Sequence, residues 1–216
     1  MELDTEGDYG KKGSWNWKGN SVKVYSKEKG KEVDVEVHVS FPSIYGLEAS
    51  GASKVYSTGG LELEKLLMEV TGAAKTHLNV TADYVEIEQS GAAHTDIKLA
   101  TEKLVTELDG AAKLSIMSLT DIAYLETEQS GAAHLTINGK VDKLIAEMSG
   151  AAKLTAKDLQ VGYADLETSG AANVNLGTVH EVIIEASGGS NVHYHRSADT
   201  KVISEDVSGG ARVVSH

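Results

Sequence analysis

The feature that most constrains this chain is a short glycine motif that recurs nine times. The motif has the form Ser-Gly-Ala-Ala, and its glycines are Gly51, Gly72, Gly91, Gly110, Gly131, Gly150, Gly170, Gly188 and Gly209. Successive glycines lie 18 to 21 residues apart. A helical-hairpin repeat needs about 33 residues or more, whereas a unit of about 20 residues suits a leucine-rich repeat or one coil of a β-helix. No Leu-x-x-Leu-x-Leu-x-x-Asn frame recurs, so the repeat favours a β-helix.

On both sides of each glycine, apolar residues alternate with polar ones, as they do in a half-buried strand. The positions six and four residues before the glycine, and four and six residues after it, are predominantly apolar. We therefore predict two inward-facing strands per coil, with Tyr45 and Ile203 among the inward residues of the end coils. Only Ala, Gly or Ser occupies the two positions after the glycine, which suits a tight corner in coils that stack about 4.8 Å apart.

Coils of 18 to 21 residues do not keep the constant count of a left-handed hexapeptide β-helix. The predicted fold is therefore all-β: a single-stranded right-handed parallel β-helix, a solenoid of about 20 residues per coil and roughly 40 Å in length. We expect one structural domain, in which residues 1–45 form N-terminal strands and a cap and residues 46–216 form the β-helix. Residues 33–39 alternate like a strand, and Trp15 and Trp17 are expected to cover the open end of the stack.

Composition excludes several classes of function. The chain has 32 acidic against 20 basic residues and a net charge of −12, which argues against a nucleic-acid partner because phosphates require a basic face. The absence of cysteine excludes disulfides and cysteine-ligated metals. Apolar runs such as 182–184 fall far below the ~18 residues of a transmembrane segment. Residues 1–4 lack the basic and apolar regions of an export signal.

The glycine-centred repeats resemble those of the head GIN domain family. The resemblance rests on Gly-Ala-Ser-Lys-Val at 51–55, on Gly-Ala-Ala-Lys-Leu at 110–114 and 150–154, and on the preceding segments 33–39 and 43–50. That family, common in Bacteroidetes, is described as auto-transporter adhesins. The resemblance implies a pectin-lyase-like β-helix that is exported to the periplasm or cell surface, with no established catalytic residues.

In a β-helix each repeat position becomes a column of side chains. The position three residues before the glycine is acidic in every coil: Glu48, Glu69, Glu88, Glu107, Glu128, Glu147, Glu167, Glu185 and Asp206. Two such carboxylates about 4.8 Å apart in water repel each other by about 0.9 kcal/mol. The position three residues after the glycine is mostly basic, so we predict a charge network between the two columns across the corner. The alternative is a calcium site, because calcium takes six to eight oxygen ligands.

A second column alternates lysine with tyrosine seven residues before the glycine. Tyr84, Tyr124 and Tyr163 recur every two coils, about 10 Å apart. This spacing suggests a binding face on which flat rings meet a repeating polymer such as a glycan. The alternative is structural: each ring covers its aliphatic neighbours and pairs with a lysine.

Three histidines near the carboxyl end form a further candidate site. His193 and His195 are two residues apart and point to one side of a strand, and His195 aligns with His216 of the next coil. Neutral imidazoles so spaced could hold zinc or a similar metal. The alternative is that these are incidental surface histidines.

The regularity of the columns favours a non-enzymatic function, because catalytic clefts usually interrupt a repeat with long insertions. Coil lengths vary by only three residues, and we assign no catalytic residue and no cofactor. The sequence predicts an adhesin-like surface or periplasmic module that binds a glycan or another cell-surface polymer. One alternative is a scaffold that self-associates through open coil ends. Another is a carbohydrate-active enzyme, which would need paired carboxylates in a cleft or a base beside acids.

Overall fold

The structure is a computed structural model that describes residues 3–4, 14–18, 21–25, 38–39 and 43–216, with side chains from residue 43 onward. The strands are β1 (Leu3–Asp4), β2 (Ser14–Lys18), β3 (Ser21–Tyr25), β4 (His38–Val39), β5 (Gly46–Ala49), β6 (Lys54–Val70), β7 (Lys75–Gln89), β8 (His94–Ala100), β9 (Lys103–Leu108), β10 (Lys113–Ser118), β11 (Ile122–Gln129), β12 (His134–Met148), β13 (Lys153–Thr168), β14 (Asn173–Ala186), β15 (Asn191–Val207) and β16 (Arg212–Ser215). No helix with the length and hydropathy of a membrane span occurs in these ranges.

Strands β5 to β16 stack as the coils of a parallel solenoid. Each inner coil pairs in parallel with the coils before and after it: β12, for example, pairs with β10 and β11 on one side and with β13 on the other. Several coils are one long strand that bends between two glycine motifs, whereas β8 and β9, like β10 and β11, are separated by a short break. The predicted all-β parallel solenoid is confirmed.

The core is a continuous stack of aliphatic side chains inside the coils. The predicted inward positions are buried through the central coils, and Leu66, Leu104 and Leu144 are fully buried. The prediction is wrong at the two ends, where Tyr45 is 46% and Ile203 is 44% exposed. A register shift of one residue explains the last coil, because Val202 rather than Ile203 lies opposite Val182. A shift of one residue moves a side chain to the other face of a strand.

The glycine corners hold the coils at close range. Every motif glycine has φ between +67° and +74°, a region that costs other L-residues energy. A Cβ atom added at Gly131 would lie only 2.7 Å from the carbonyl oxygen of Gly110 in the preceding coil. That same oxygen accepts a hydrogen bond from the Ala132 N–H at 2.6 Å. Of the two small residues after the glycine, only the second is buried in the central coils, while the first faces solvent.

Toward the amino-terminal end, a hairpin extends the sheet. Strand β3 pairs in parallel with β5 and antiparallel with β2, so among the described residues the strand that contains Trp15 and Trp17 stands at this end of the sheet. Of the strand predicted over residues 33–39, only β4 lies within the described residues, where it pairs antiparallel with β1; the remainder lies outside them. The division into a cap of residues 1–45 and a β-helix of residues 46–216 remains our proposal.

Candidate functional site

The most regular surface of the solenoid is the outer face of the sheet that precedes each glycine corner. Three columns of outward side chains lie there, and we call this surface the ladder face. The lysine–tyrosine column contains Lys65, Tyr84, Lys103, Tyr124, Lys143 and Tyr163; the middle column contains Leu67, Glu86, Val105, Glu126, Ile145 and Asp165; the acidic column contains Glu48, Glu69, Glu88, Glu107, Glu128, Glu147, Glu167, Glu185 and Asp206. The parallel strands keep these columns in register from coil to coil.

The acidic column is an unbroken ladder along the solenoid. Each member pairs with the next in strand register, from Glu48 to Asp206, and all nine side chains are exposed. Among the described residues, no ion pair involves a member of the column from Glu69 onward. The column therefore presents a line of carboxylates to solvent, at the spacing of about 4.8 Å that the strands impose.

The predicted network between the acidic column and the basic column three residues after the glycine is not observed from Glu69 onward. The basic column instead forms its own ladder, in which His134 lies between Lys113 and Lys153. Burial, followed by the positive charges of Lys153 and Lys113, lowers the pKa of His134. The two columns lie on either side of the glycine corner, and no ion pair joins them from Glu69 onward within the described residues.

The lysine–tyrosine column is a stack of cation–π contacts. The Tyr84 ring lies between the ammonium groups of Lys65 and Lys103, whose Nζ atoms are 4.8 and 5.5 Å from its centroid. The Tyr124 ring lies in the same way between Lys103 and Lys143, at 5.0 and 5.7 Å. Lys143 also approaches the Tyr163 ring at 5.9 Å. All of these distances fall within the roughly 6 Å range of a cation–π interaction, so lysines cover the ring faces in this structure.

The tyrosine hydroxyl groups are tied to the middle column. The Tyr84 hydroxyl donates to Glu86 Oε2 at 2.8 Å, and the Tyr124 hydroxyl donates to Glu126 Oε2 at the same distance. Burial and then the bond to Glu86 raise the pKa of Tyr84 to about 12. The hydrogen bond to Glu126 is the main cause that raises the pKa of Tyr124. At neutral pH these two tyrosines are therefore uncharged hydrogen-bond donors.

A shallow groove of about 210 Å³ follows the acidic column through the central coils. One wall consists of four carboxylates of that column, and the other consists of residues directly before the motif glycine, namely Asp109, Ser130, Ser149 and Ser169. The Ser130 hydroxyl donates a hydrogen bond to the carboxylate of Asp109 in the preceding coil. Sequence reasoning did not single out this serine column, although the motif contains it: the residue before the glycine carries a hydroxyl in eight of the nine coils.

The three candidate histidines are brought together on the last two coils. The His193 and His216 rings are stacked with centroids 6.1 Å apart, and the His195 and His216 centroids are 5.7 Å apart. Within the described part of the chain, no three His, Asp or Glu side chains already have the geometry of a metal site. The histidines thus adjoin one another, with their rings packed rather than converging.

Comparison with known proteins adds one finding. A family model described as "Putative auto-transporter adhesin, head GIN domain" matches residues 2–120 and, a second time, residues 85–198. The two matches overlap, as expected for a chain built from similar coils. No curated protein and no solved structure matches the chain.

Proposed function

Because the chain belongs to the family described as an auto-transporter adhesin, head GIN domain, we propose that it is a non-enzymatic, adhesin-like binding module that acts at the cell surface or in the periplasm. Its ligand is a glycan or another cell-surface polymer that lies along the ladder face. The observation that carries this proposal is the unbroken register of the columns, since a linear polymer aligned with the solenoid meets the same groups in successive coils. Repeated weak contacts of this kind add up through effective concentration.

The chemistry of the ladder face narrows the class of polymer. Carboxylates of the acidic column accept hydrogen bonds from hydroxyl or amino groups, and the serine hydroxyls beside them both donate and accept. A polymer that carries many negative charges is disfavoured, because the exposed carboxylates would repel it. The proposed ligand is therefore a neutral or amino-bearing polymer rather than an acidic polysaccharide.

The tyrosines contribute to binding once their lysines move aside. A cation–π contact at an exposed site is worth about 0.5–1 kcal/mol, so a sugar ring that stacks on Tyr84, Tyr124 or Tyr163 can displace a lysine side chain. The displaced ammonium group remains beside the ligand as a hydrogen-bond donor.

The test is a glycan and matrix-protein binding array probed with the full chain, followed by affinity measurement on each ligand found. Joint replacement Tyr84→Ala, Tyr124→Ala and Tyr163→Ala is expected to weaken binding by about tenfold or more, given stacking contributions of about 1–3 kcal/mol per aromatic contact in other systems. The matched control is Tyr56→Ala, because Tyr56 is 64% exposed but lies outside the ladder face; it is expected to bind normally.

Two outcomes would contradict the proposal. If the wild-type chain binds no glycan, polymer or matrix protein on the array, the proposed binding function is wrong. Unchanged affinity in the triple alanine variant, shown to be folded by circular dichroism, would mean that the tyrosines are not part of the binding site. The triple Tyr→Phe variant keeps the rings, so it is expected to retain most of the affinity if the rings carry the contact.

A second candidate function is a self-assembling scaffold. The observation that favours it is the last coil, where Ile203 and Val207 are 44% and 41% exposed in the part of β15 that does not pair with β16. Exposed sheet edges are templates for pairing with another chain, and the partner proposed here is a second copy. Light scattering across a range of concentrations tests it: a mass that stays monomeric throughout counts against assembly.

A further inference from the structure

His193, His195 and His216 are held together by the main chain rather than by chance side-chain contact. Between His193 and His195, the fully inward Tyr194 is 1% exposed, so the two histidines face outward from the same strand. The His216 N–H donates to the Tyr194 carbonyl at 3.0 Å, and the Arg196 N–H donates to the His216 carbonyl at 2.7 Å. These two bonds fix His216 directly beside His195 on the neighbouring strand.

The separations from His216 to the other two rings are close to those of imidazoles that share one metal ion. Zinc–nitrogen bonds of about 2.0–2.1 Å in a tetrahedral site place two ring centroids roughly 5–6 Å apart. The observed centroid separations are 5.7 Å for His195 and His216 and 6.1 Å for His193 and His216. The 6.1 Å separation lies just above that range, and the ring orientations differ from those of a metal site, since the rings of His193 and His216 are stacked with an interplanar angle of 8°.

The imidazole rings of these three histidines can rotate. His195 and His216 are exposed and His193 is half-buried, so their terminal torsions are not fixed by core packing. Such torsions have broad, shallow preferences. No Asp or Glu side chain forms an ion pair with these three histidines in the described residues, which leaves their nitrogens available as ligands.

We propose that His193, His195 and His216 form a three-imidazole site for a first-row transition metal of the zinc class at the carboxyl-terminal end of the solenoid. Neutral imidazole suits Zn²⁺, Cu²⁺ and Ni²⁺, whereas calcium prefers oxygen ligands. Three protein nitrogens leave the fourth tetrahedral position to water or to a ligand. The ion would also clamp β16 onto β15, because His193 and His195 lie near the start of β15 and His216 directly follows β16.

The experiment is titration of the untagged, chelator-treated full chain with ZnCl₂ by isothermal calorimetry, and with CoCl₂ by visible absorption, which reports tetrahedral coordination. One ion per chain is expected. Joint replacement His195→Gln and His216→Gln is expected to weaken Zn²⁺ binding by about tenfold or more, in line with the effect of removing groups that support a metal site. His77→Gln is the matched control, because His77 occupies in an earlier coil the position that His193 occupies here, five residues after the motif glycine.

Absence of Zn²⁺ binding in the micromolar range would overturn the proposal. Binding that survives the double replacement, or that is lost equally in His77→Gln, would overturn it as well, since the ion would then lie elsewhere. Circular dichroism of each variant separates loss of the ligands from loss of the fold.

Discussion

At the scale of single residues, each motif glycine meets two requirements at once. Its positive φ disfavours any side chain, and from Gly72 onward an added Cβ would lie 2.7–3.0 Å from the carbonyl oxygen of the preceding motif glycine. The sequence predicted a crowded corner but assigned the crowding to the small residues after the glycine. A sequence repeat shows that a position must hold a small residue, whereas the backbone conformation of that residue is known only from the structure.

We predict that Gly131→Ala strongly destabilises the protein. A non-glycine residue in a rare backbone conformation costs of order 1–3 kcal/mol, and the added Cβ would lie 2.7 Å from the Gly110 carbonyl oxygen, so one coil must also move. The expected loss in free energy of unfolding is roughly 2–4 kcal/mol, measured by urea denaturation followed by circular dichroism.

Gly59→Ala is the control for that substitution. Gly59 lies in β6, has no positive φ, and has no atom within 4 Å of the position its Cβ would take. Its expected effect is within about 0.5 kcal/mol of zero or slightly stabilising. Equal destabilisation by both substitutions would contradict the role assigned to the corner.

At the scale of the strand, the acidic column is a source of electrostatic repulsion that lowers the stability of the fold. Each interior carboxylate, such as Glu128, has a like charge on both neighbouring strands. At about 4.8 Å each pair costs about 0.9 kcal/mol in water before screening. Because no ion pair offsets the column from Glu69 onward within the described residues, its persistence in every coil is more easily explained by binding than by stability.

Glu128→Gln is accordingly expected to stabilise the protein. Removal of the repulsion from Glu107 and Glu147 should raise the free energy of unfolding by roughly 1–2 kcal/mol at low ionic strength. The gain should shrink as salt is added, because the screening length falls to about 8 Å at physiological ionic strength. Denaturant midpoints at low and high salt measure both effects. Glu102→Gln, which is exposed but outside the column, is the control; a similar gain there, or a loss at Glu128, would argue against the repulsion.

The columns themselves were predictable from the sequence because parallel strands in register turn a repeat position into a line. The acidic column and the alternation of Lys65 with Tyr84 were both found in this way. The relation between columns was less predictable. The acidic and basic columns are only six residues apart in sequence, but the direction in which side chains leave a corner depends on backbone torsions that the repeat pattern does not reveal. The structure also shows the lysine–tyrosine contacts that were the alternative to an open aromatic face.

At the scale of the whole molecule, stability should vary along the solenoid. A coil in such a fold contacts only its neighbours, so central coils gain from two interfaces and an end coil from one. Strand β11 is paired on both sides, with β9 and β12. Within the part of the chain that the structure describes, strand β16 pairs only with β15, whose own pairing with β14 contains three register shifts. The last coil also exposes Ile203 and Val207, so less apolar area is buried there.

Hydrogen exchange is therefore expected to follow position along the solenoid. Amides of β11 should exchange slowest, through global unfolding, while those of β16 and of residues 201–207 should exchange through local opening of the last coil. The measurement is hydrogen exchange followed by mass spectrometry. It is made with chelator present and at a concentration where light scattering shows a monomer. Both conditions are needed because a second copy of the chain, or an ion bound to the three histidines, would protect the same strands. Addition of ZnCl₂ should then slow exchange in β16 without changing β11. Uniform protection from β11 to β16 in the chelated monomer would show that the solenoid opens as one unit and that its last coil is not the weak end.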